Sequence, residues 1–283
     1  MTGRRALLAA ALALPAYAQA RSSRLAPLGV IEMDTSPWGF GGFSAVHLAA
    51  DLTVTMVSDR GRWWQAPLRL APIGFGPARH GPLLDAAGRP LRGREGDAES
   101  LVRLHDGSWL VGFERNHRIQ RHQRLDTPAL PFPAPPGLAE ASANGGLEAL
   151  ALLADGRLLA IAEAPGTRAW LGRDGVWEER RYQPGPHLLP VDAAAVPGGG
   201  ALVLERDFSL LGGFRGRLAF LPEPAAPVLA GETWLEMPGD IPGENWEGVA
   251  AAQTREGALV VLVSDDNQSP FQRSLFAVFR LVG

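Results

Sequence analysis

One short phrase recurs along this 283-residue chain: an acidic residue, an apolar stretch, a tight turn, a second apolar stretch and another acidic residue. Its clearest copy runs from Glu99 through Leu101-Val102, Asp106-Gly107 and Trp109-Leu110-Val111 to Glu114. Further copies span Glu148 to Glu163, Asp192 to Glu205 and Glu247 to Asp265, with a degenerate one from Ser44 to Asp59. Self-similarity at a period of roughly 45 to 55 residues is the signature of a repeat architecture, in which units bury their apolar faces only by stacking on neighbours.

Within each copy the apolar residues alternate or run for a few positions and then meet a turn. Asp106-Gly107 and Asp155-Gly156 are two-residue hairpin signals, because glycine accepts the positive φ of a primed turn. Gly198-Gly199-Gly200 and Glu256-Gly257 occupy the same place in later copies. Two more strands are expected after each hairpin, as at Arg168 to Leu171 and Val176 to Tyr182, or Gly216 to Leu221 and Thr233 to Met237. Four antiparallel strands per unit, repeated radially, predict an all-β fold of the β-propeller type. Five units start near residues 43, 97, 146, 191 and 246, and a sixth would exist if residues 63 to 92 hid a degenerate copy. Ser274 to Leu281 reads as only the third strand of the last unit, so Leu28 to Met33 is expected to supply the fourth and close the ring. The proline-rich run Asp126 to Pro136 reads as a surface loop, and Trp63-Trp64 as packing between blades. His117 and His122, five apart on a strand, would face opposite sides of a solvated outer strand and share no metal.

Residues 1–20 read as an export signal: basic Arg4-Arg5, apolar Ala6 to Leu14, and a small-x-small cleavage pattern at Ala16-Tyr17-Ala18 or Ala18-Gln19-Ala20. The arginine pair is compatible with either twin-arginine or Sec export. The remaining 21–283 form a single domain, expected to be a periplasmic or secreted monomer, with no apolar run long enough to span a bilayer. Cysteine is absent, which excludes disulfides and thiolate metal sites. The net charge of −3 argues against general nucleic-acid binding. All 27 basic residues are arginine, so no lysine Schiff base is available and every cationic contact is a guanidinium, suited to bidentate pairing with carboxylate or phosphate.

In a propeller blade the innermost strand starts at one mouth of the channel and the hairpin returns to it. The ends of the phrase therefore converge: Glu99, Glu148, Asp192 and Glu247 beside Asp59, Glu114, Glu163, Glu205 and Asp265. Two like charges at about 4 to 6 Å repel by roughly 3 to 4 kcal/mol at an effective dielectric near 20. A cation, arginines or raised pKa values must offset this. Arg60, Arg115 and Arg206 each follow one of the acids. An all-oxygen donor set favours a hard ion, and calcium over zinc. The expected metal ligands are Asp59, Glu99, Glu148, Glu247, Asp265 and Asp266. The competing reading is that these acids cap loop amides or pair with arginines between blades. The loop Ser264 to Arg273 is the richest single candidate, either a polar turn or three adjacent oxygen donors with an arginine in reach.

The phrases Asp97-Ala98-Glu99-Ser100-Leu101, Phe113-Glu114-Arg115-Asn116-His117, Asn144-Gly145-Gly146-Leu147-Glu148, Leu202 to Ser209 with Gly213 to Arg217, Asn245-Trp246-Glu247-Gly248 and Val263 to Arg273 resemble the phytase-like family, also described by its esterase-like activity. The resemblance covers residue 39 to the end, in order. It implies an exported propeller related at a distance to calcium-dependent phytases, whose clustered acids hold the metals that bind phosphate. The expected activity is metal-dependent hydrolysis of phosphate esters, or of carboxylic esters, on a small anionic substrate. Catalysis would fall to Glu99, Glu148, Glu247 and Asp265, and substrate binding to Arg115, Arg206, Arg273 and Asn267. The alternative is a non-catalytic, calcium-stabilised propeller that binds a ligand or a protein. No Gly-x-Ser-x-Gly elbow is present, which disfavours an α/β-hydrolase.

Overall fold

A computed structural model describes residues 24–142, 145–163, 167–267, 269 and 271–282. The export-signal segment 1–20 lies outside the described residues, as does Asn144. The described residues form a ring of five sheets whose blade strands pair antiparallel, in agreement with the repeat count, and they contain no sixth unit.

The first strand, β1 (Leu25–Glu32), belongs to the last blade. Blade 1 comprises β2 (Phe43–Leu48), β3 (Thr53–Ser58), β4 (Arg62–Leu70), β5 (Ile73–Phe75) and β6 (Arg79–Pro82). The stretch that could have hidden a sixth unit is thus the outer edge of blade 1, where β5 and β6 both pair with β4. Blade 2 is β7 (Ala98–Arg103), β8 (Trp109–Phe113), β9 (Arg118–His122) and β10 (Ala129–Phe132). Here β10 replaces the expected loop: Leu130 and Pro131 pair with Arg121 and Gln120 on an edge strand, where proline's missing donor costs nothing.

Blade 3 is β11 (Leu147–Leu152), β12 (Leu158–Ala162), β13 (Arg168–Arg173) and β14 (Val176–Gln183). Blade 4 follows with β15 (Leu189–Ala195), β16 (Ala201–Ser209) and β17 (Gly213–Leu221). The chain then lends β18 (Val228–Ala230) to β14 in parallel before β19 (Glu232–Met237) completes blade 4. Blade 5 is β20 (Trp246–Thr254), β21 (Gly257–Ser264) and β22 (Leu275–Leu281), and β1 pairs antiparallel with β22, closing the ring as expected.

The innermost strands β2, β7, β11, β15 and β20 are each in contact with the next, and β20 returns to β2. The apolar clusters lie between adjacent blades, for example Val46, Trp64, Val261 and Phe276 between blades 1 and 5. Trp64 is fully buried and Trp63 nearly so, as interblade packing requires. His122 is buried too, its Nδ1 3.0 Å from Thr127 O, so β9 is not the solvated strand expected. Gly107 and Gly156 hold the φ of +85° and +83° that their hairpin turns demand.

Candidate functional site

All five inner hairpins carry a register shift at the same height, between Phe43/Ala45, Ala98/Ser100, Leu147/Ala149, Pro190/Asp192 and Trp246/Gly248. A bulge of this kind sets two residues against one and re-aims a side chain. The extra residues are Ser44, Glu99, Glu148, Val191 and Glu247, one per blade. They form an inner layer in which Glu99, Glu148 and Glu247 act on one another electrostatically.

A second layer sits at the rim, one residue past β3, β8, β12 and β21. There Asp59, Glu114, Glu163 and Asp265 donate their backbone N–H groups to Gly42 O (3.0 Å), Asp97 O (2.9 Å), Gly146 O (3.2 Å) and Asn245 O (2.9 Å). In blade 4 the same place, opposite Leu189, is held by Arg206. Blade 1 makes room for two carboxylates with glycine: a Cβ on Gly42 would lie 2.1 Å from Asp59 Oδ1, and one on Gly41 2.5 Å from Asp266 Oδ2. Arg115 and Asn267, just beyond the rim acids, sit in left-handed backbone (φ 55° and 46°), an uncommon conformation for non-glycine residues.

The layers bring two triads together. In Asp97–Glu99–Glu114 and in Glu114–Glu148–Glu163, one oxygen from each residue lies within 4.8 Å of the others. Oxygens bound to one calcium at roughly 2.4 Å can be no further apart than about 4.8 Å, so both triads fit a hard cation. Glu148 is 7% exposed, and among the described residues no donor group reaches its Oε1. Burial first, then the surrounding charge, pushes Glu99 and Glu148 well above the ordinary carboxylate range. Burial likewise lifts Glu114 to about 7, helped by Asp97 and Glu163. Asp265 also rises to about 7 by burial, against the pull of the Asn267 N–H and with Glu247, Asp59 and Asp266 adding repulsion. Asp59, Asp97 and Glu163 shift upward for the same first reason.

Of the expected ligands, Glu99 and Glu148 belong to the triads, together with Asp97, Glu114 and Glu163. Glu247 is engaged by Arg206 (3.0 Å) and by Asn245. Asp265, Asp266 and Asp59 form a separate group on the blade 5–blade 1 side: Asp265 Oδ1 accepts from Asn267 N (2.7 Å) and Asp266 Oδ2 from Ser274 Oγ (2.7 Å).

The arginines expected to clamp an anion all have partners. Arg115 Nε is 2.6 Å from Asp97 Oδ2, Arg206 pairs with Glu247, and Arg273 Nε donates to Glu244 Oε1 (2.9 Å). Asn267 donates through Nδ2 to Gln272 Oε1 (2.8 Å).

Two acids expected at the mouth are one residue out of phase. Asp192 follows the bulge residue of blade 4, and its carboxylate accepts from Ala193 N (2.8 Å) and from Val249 N on blade 5 (2.8 Å). Glu205 precedes the rim position, fully buried, and accepts from Gly185 N (2.9 Å), from Arg217 Nε and Nη2 (2.7 and 3.0 Å) and from Tyr182 Oη. Both stitch the fold. The signal that would have separated them was present: fifteen residues divide Ser44 from Asp59, Glu99 from Glu114 and Glu148 from Glu163, and the same interval in blade 4 joins Val191 to Arg206.

Fold and site thus define a five-bladed propeller whose channel opens through stacked layers of carboxylates. The sequence profile of the phytase-like family, described as "Esterase-like activity of phytase", matches residues 38–268, and the chain belongs to that family. No curated protein sequence matches the chain. Among solved structures it is similar to an endo-arabinase from Bacteroides thetaiotaomicron VPI-5482 (TM-score 0.53, 11% identity, 87% of this chain and 95% of that one). A gluconolactonase from Xanthomonas campestris is similar as well (TM-score 0.50, 12% identity, 83% and 71%). At such identities the likeness is one of fold.

Proposed function

We propose that this protein is a cation-dependent hydrolase of phosphate esters, with its site at the acidic mouth of the channel. The observation that carries this reading is the buried Glu148 carboxylate, reached at Oε1 by no donor among the described residues and flanked by Glu114 and Glu163. A buried carboxylate oxygen without a donor calls for a physical reason, and a bound cation supplies one. Family membership supports the ester chemistry. Glu99, Glu114, Glu148 and Glu163, with Asp97, would hold the cation, and calcium suits their all-oxygen chemistry. Bound there, a divalent ion would polarise a phosphoryl oxygen and lower the pKa of water. Asp265, with a pKa of about 7, is suited to accept a proton near neutrality. Arg206 is the single rim residue of opposite charge and would orient the anion by exchanging part of its pairing with Glu247.

A second reading, a non-catalytic propeller stiffened by calcium, draws on the arginines: Arg115, Arg206 and Arg273 are each already paired with a carboxylate. Assays of chelated protein on phosphomonoesters, phytate and carboxylic esters, with and without added calcium, separate the two. Calcium-dependent turnover of a phosphate ester that vanishes in Asp265→Asn is the expected result. Calcium binding in calorimetry with no turnover on any substrate would leave the binding module.

A further inference from the structure

The mouth has a second character on the blade 4–blade 5 side. Strands β16 and β17 stay paired through Ser209 and Gly213, three residues past the start of β15, so their hairpin stands roughly 10 Å beyond the rim. Its tip is Leu210-Leu211, exposed by 93% and 104%. Below the tip Phe208 and Phe214 pack with tilted rings, centroids 4.7 Å apart, and Phe208 is half exposed. On the neighbouring blade Phe271, 93% exposed, projects from the β21–β22 loop at the same mouth. Among the other described residues, the exposed large apolar ones are Leu130 on β10, Val176 on β14, Leu189 at the start of β15, Val228 on β18 and Val282 after β22.

Apolar groups gathered this way mark an interaction surface. The stem is electrically balanced: Arg215 donates to Asp207 Oδ2 through Nε (2.9 Å) and Nη2 (2.7 Å). A narrow tip of two leucines over an aromatic pair, with one cation and one anion at its base, complements the layers of a zwitterionic bilayer. On such a surface the leucines would reach the acyl boundary, and the ion pair would lie at the depth of the phosphate and ammonium groups. A second copy of the chain offers no matching apolar groove among the exposed residues above. We propose that the β16–β17 hairpin, with Phe271, docks the protein on a phospholipid surface, presenting the acidic mouth to that surface. The proposal is independent of turnover.

The test is flotation of the full chain with phosphatidylcholine vesicles in chelator, wild type against Leu210→Asp/Leu211→Asp. Both side chains are solvent-exposed, so the double variant should melt like wild type. The expected result is co-flotation of wild type and a drop of roughly tenfold or more in the variant. Three outcomes would overturn the proposal: no co-flotation of wild type, equal co-flotation of the variant, or a wild-type dimer in light scattering that the double variant converts to monomer.

Discussion

Glu148 in blade 3 and Glu205 in blade 4 are both buried acids at the start or finish of an inner hairpin, yet they do opposite things. Glu205 meets a phenol, a backbone N–H and a bidentate guanidinium. Glu148 meets two other carboxylates and leaves an oxygen without a donor. Burial alone therefore does not separate an acid saturated by donors from one surrounded by other acids. The donors within reach do, and they are decided by one residue of register.

Breaking the saturated side of this contrast should have the largest effect. Glu205→Ala strands the buried Tyr182 hydroxyl and takes the bidentate partner from the partly buried Arg217, and removing one partner of a buried pair costs on the order of 3–5 kcal/mol. Denaturant unfolding should show that loss whether or not calcium is present. Next, Glu148→Gln removes a charge from a repelling cluster. It should raise the melting temperature of chelated protein by a few degrees, each 1 kcal/mol being worth about 2–4 °C at this size, and abolish stabilisation by calcium. A fall in melting temperature instead would place Glu148 with Glu205.

The third effect is one of pH. An acid whose folded pKa is raised keeps its proton more firmly folded than unfolded. Its contribution is full below the unfolded pKa and is lost as pH rises through the folded one. For Glu114 and Asp265 that window runs from about 4 to about 7, so chelated protein should lose stability across it. Saturating calcium should flatten the profile; a melting temperature that climbs across the window without calcium would contradict the assigned burial. Smallest is Arg206→Gln, which frees Glu247 from its partly buried ion pair. Calorimetry should show tighter calcium binding by a few-fold, since one competing cation is gone; unchanged affinity would disconnect Arg206 from the site.

The ring was legible because hairpins with Asp-Gly turns and period-two apolar strands need only local chemistry, and Glu99, Glu148 and Glu247 follow from it. The site was legible only to within a residue. A slip of one turns a strand residue to the other face, and the recurring bulge introduces just such a slip. Acids at matching ends of the phrase in blade 4 therefore looked equivalent to the rest, although Val191 and Arg206 are the true counterparts. Strand β10 was hidden by its prolines, which an edge position tolerates. Asp97, quoted among the family-like phrases, was not among the expected ligands because it lies outside the repeated phrase and reaches the cluster through its place next to the blade 2 bulge.

The pairing of β1 with β22 joins the two ends of the described chain across the whole length of the fold. Until that clasp is fastened, blades 1 and 5 are free to splay, and Asp59, Asp265 and Asp266 need not feel one another. Closing the ring brings those like charges together, so electrostatic work falls on the closing step. A divalent ion in the surrounding medium would then act as a folding catalyst, speeding the closing step by screening that work, and the refolding rate should carry an ion dependence that the earlier hairpins lack.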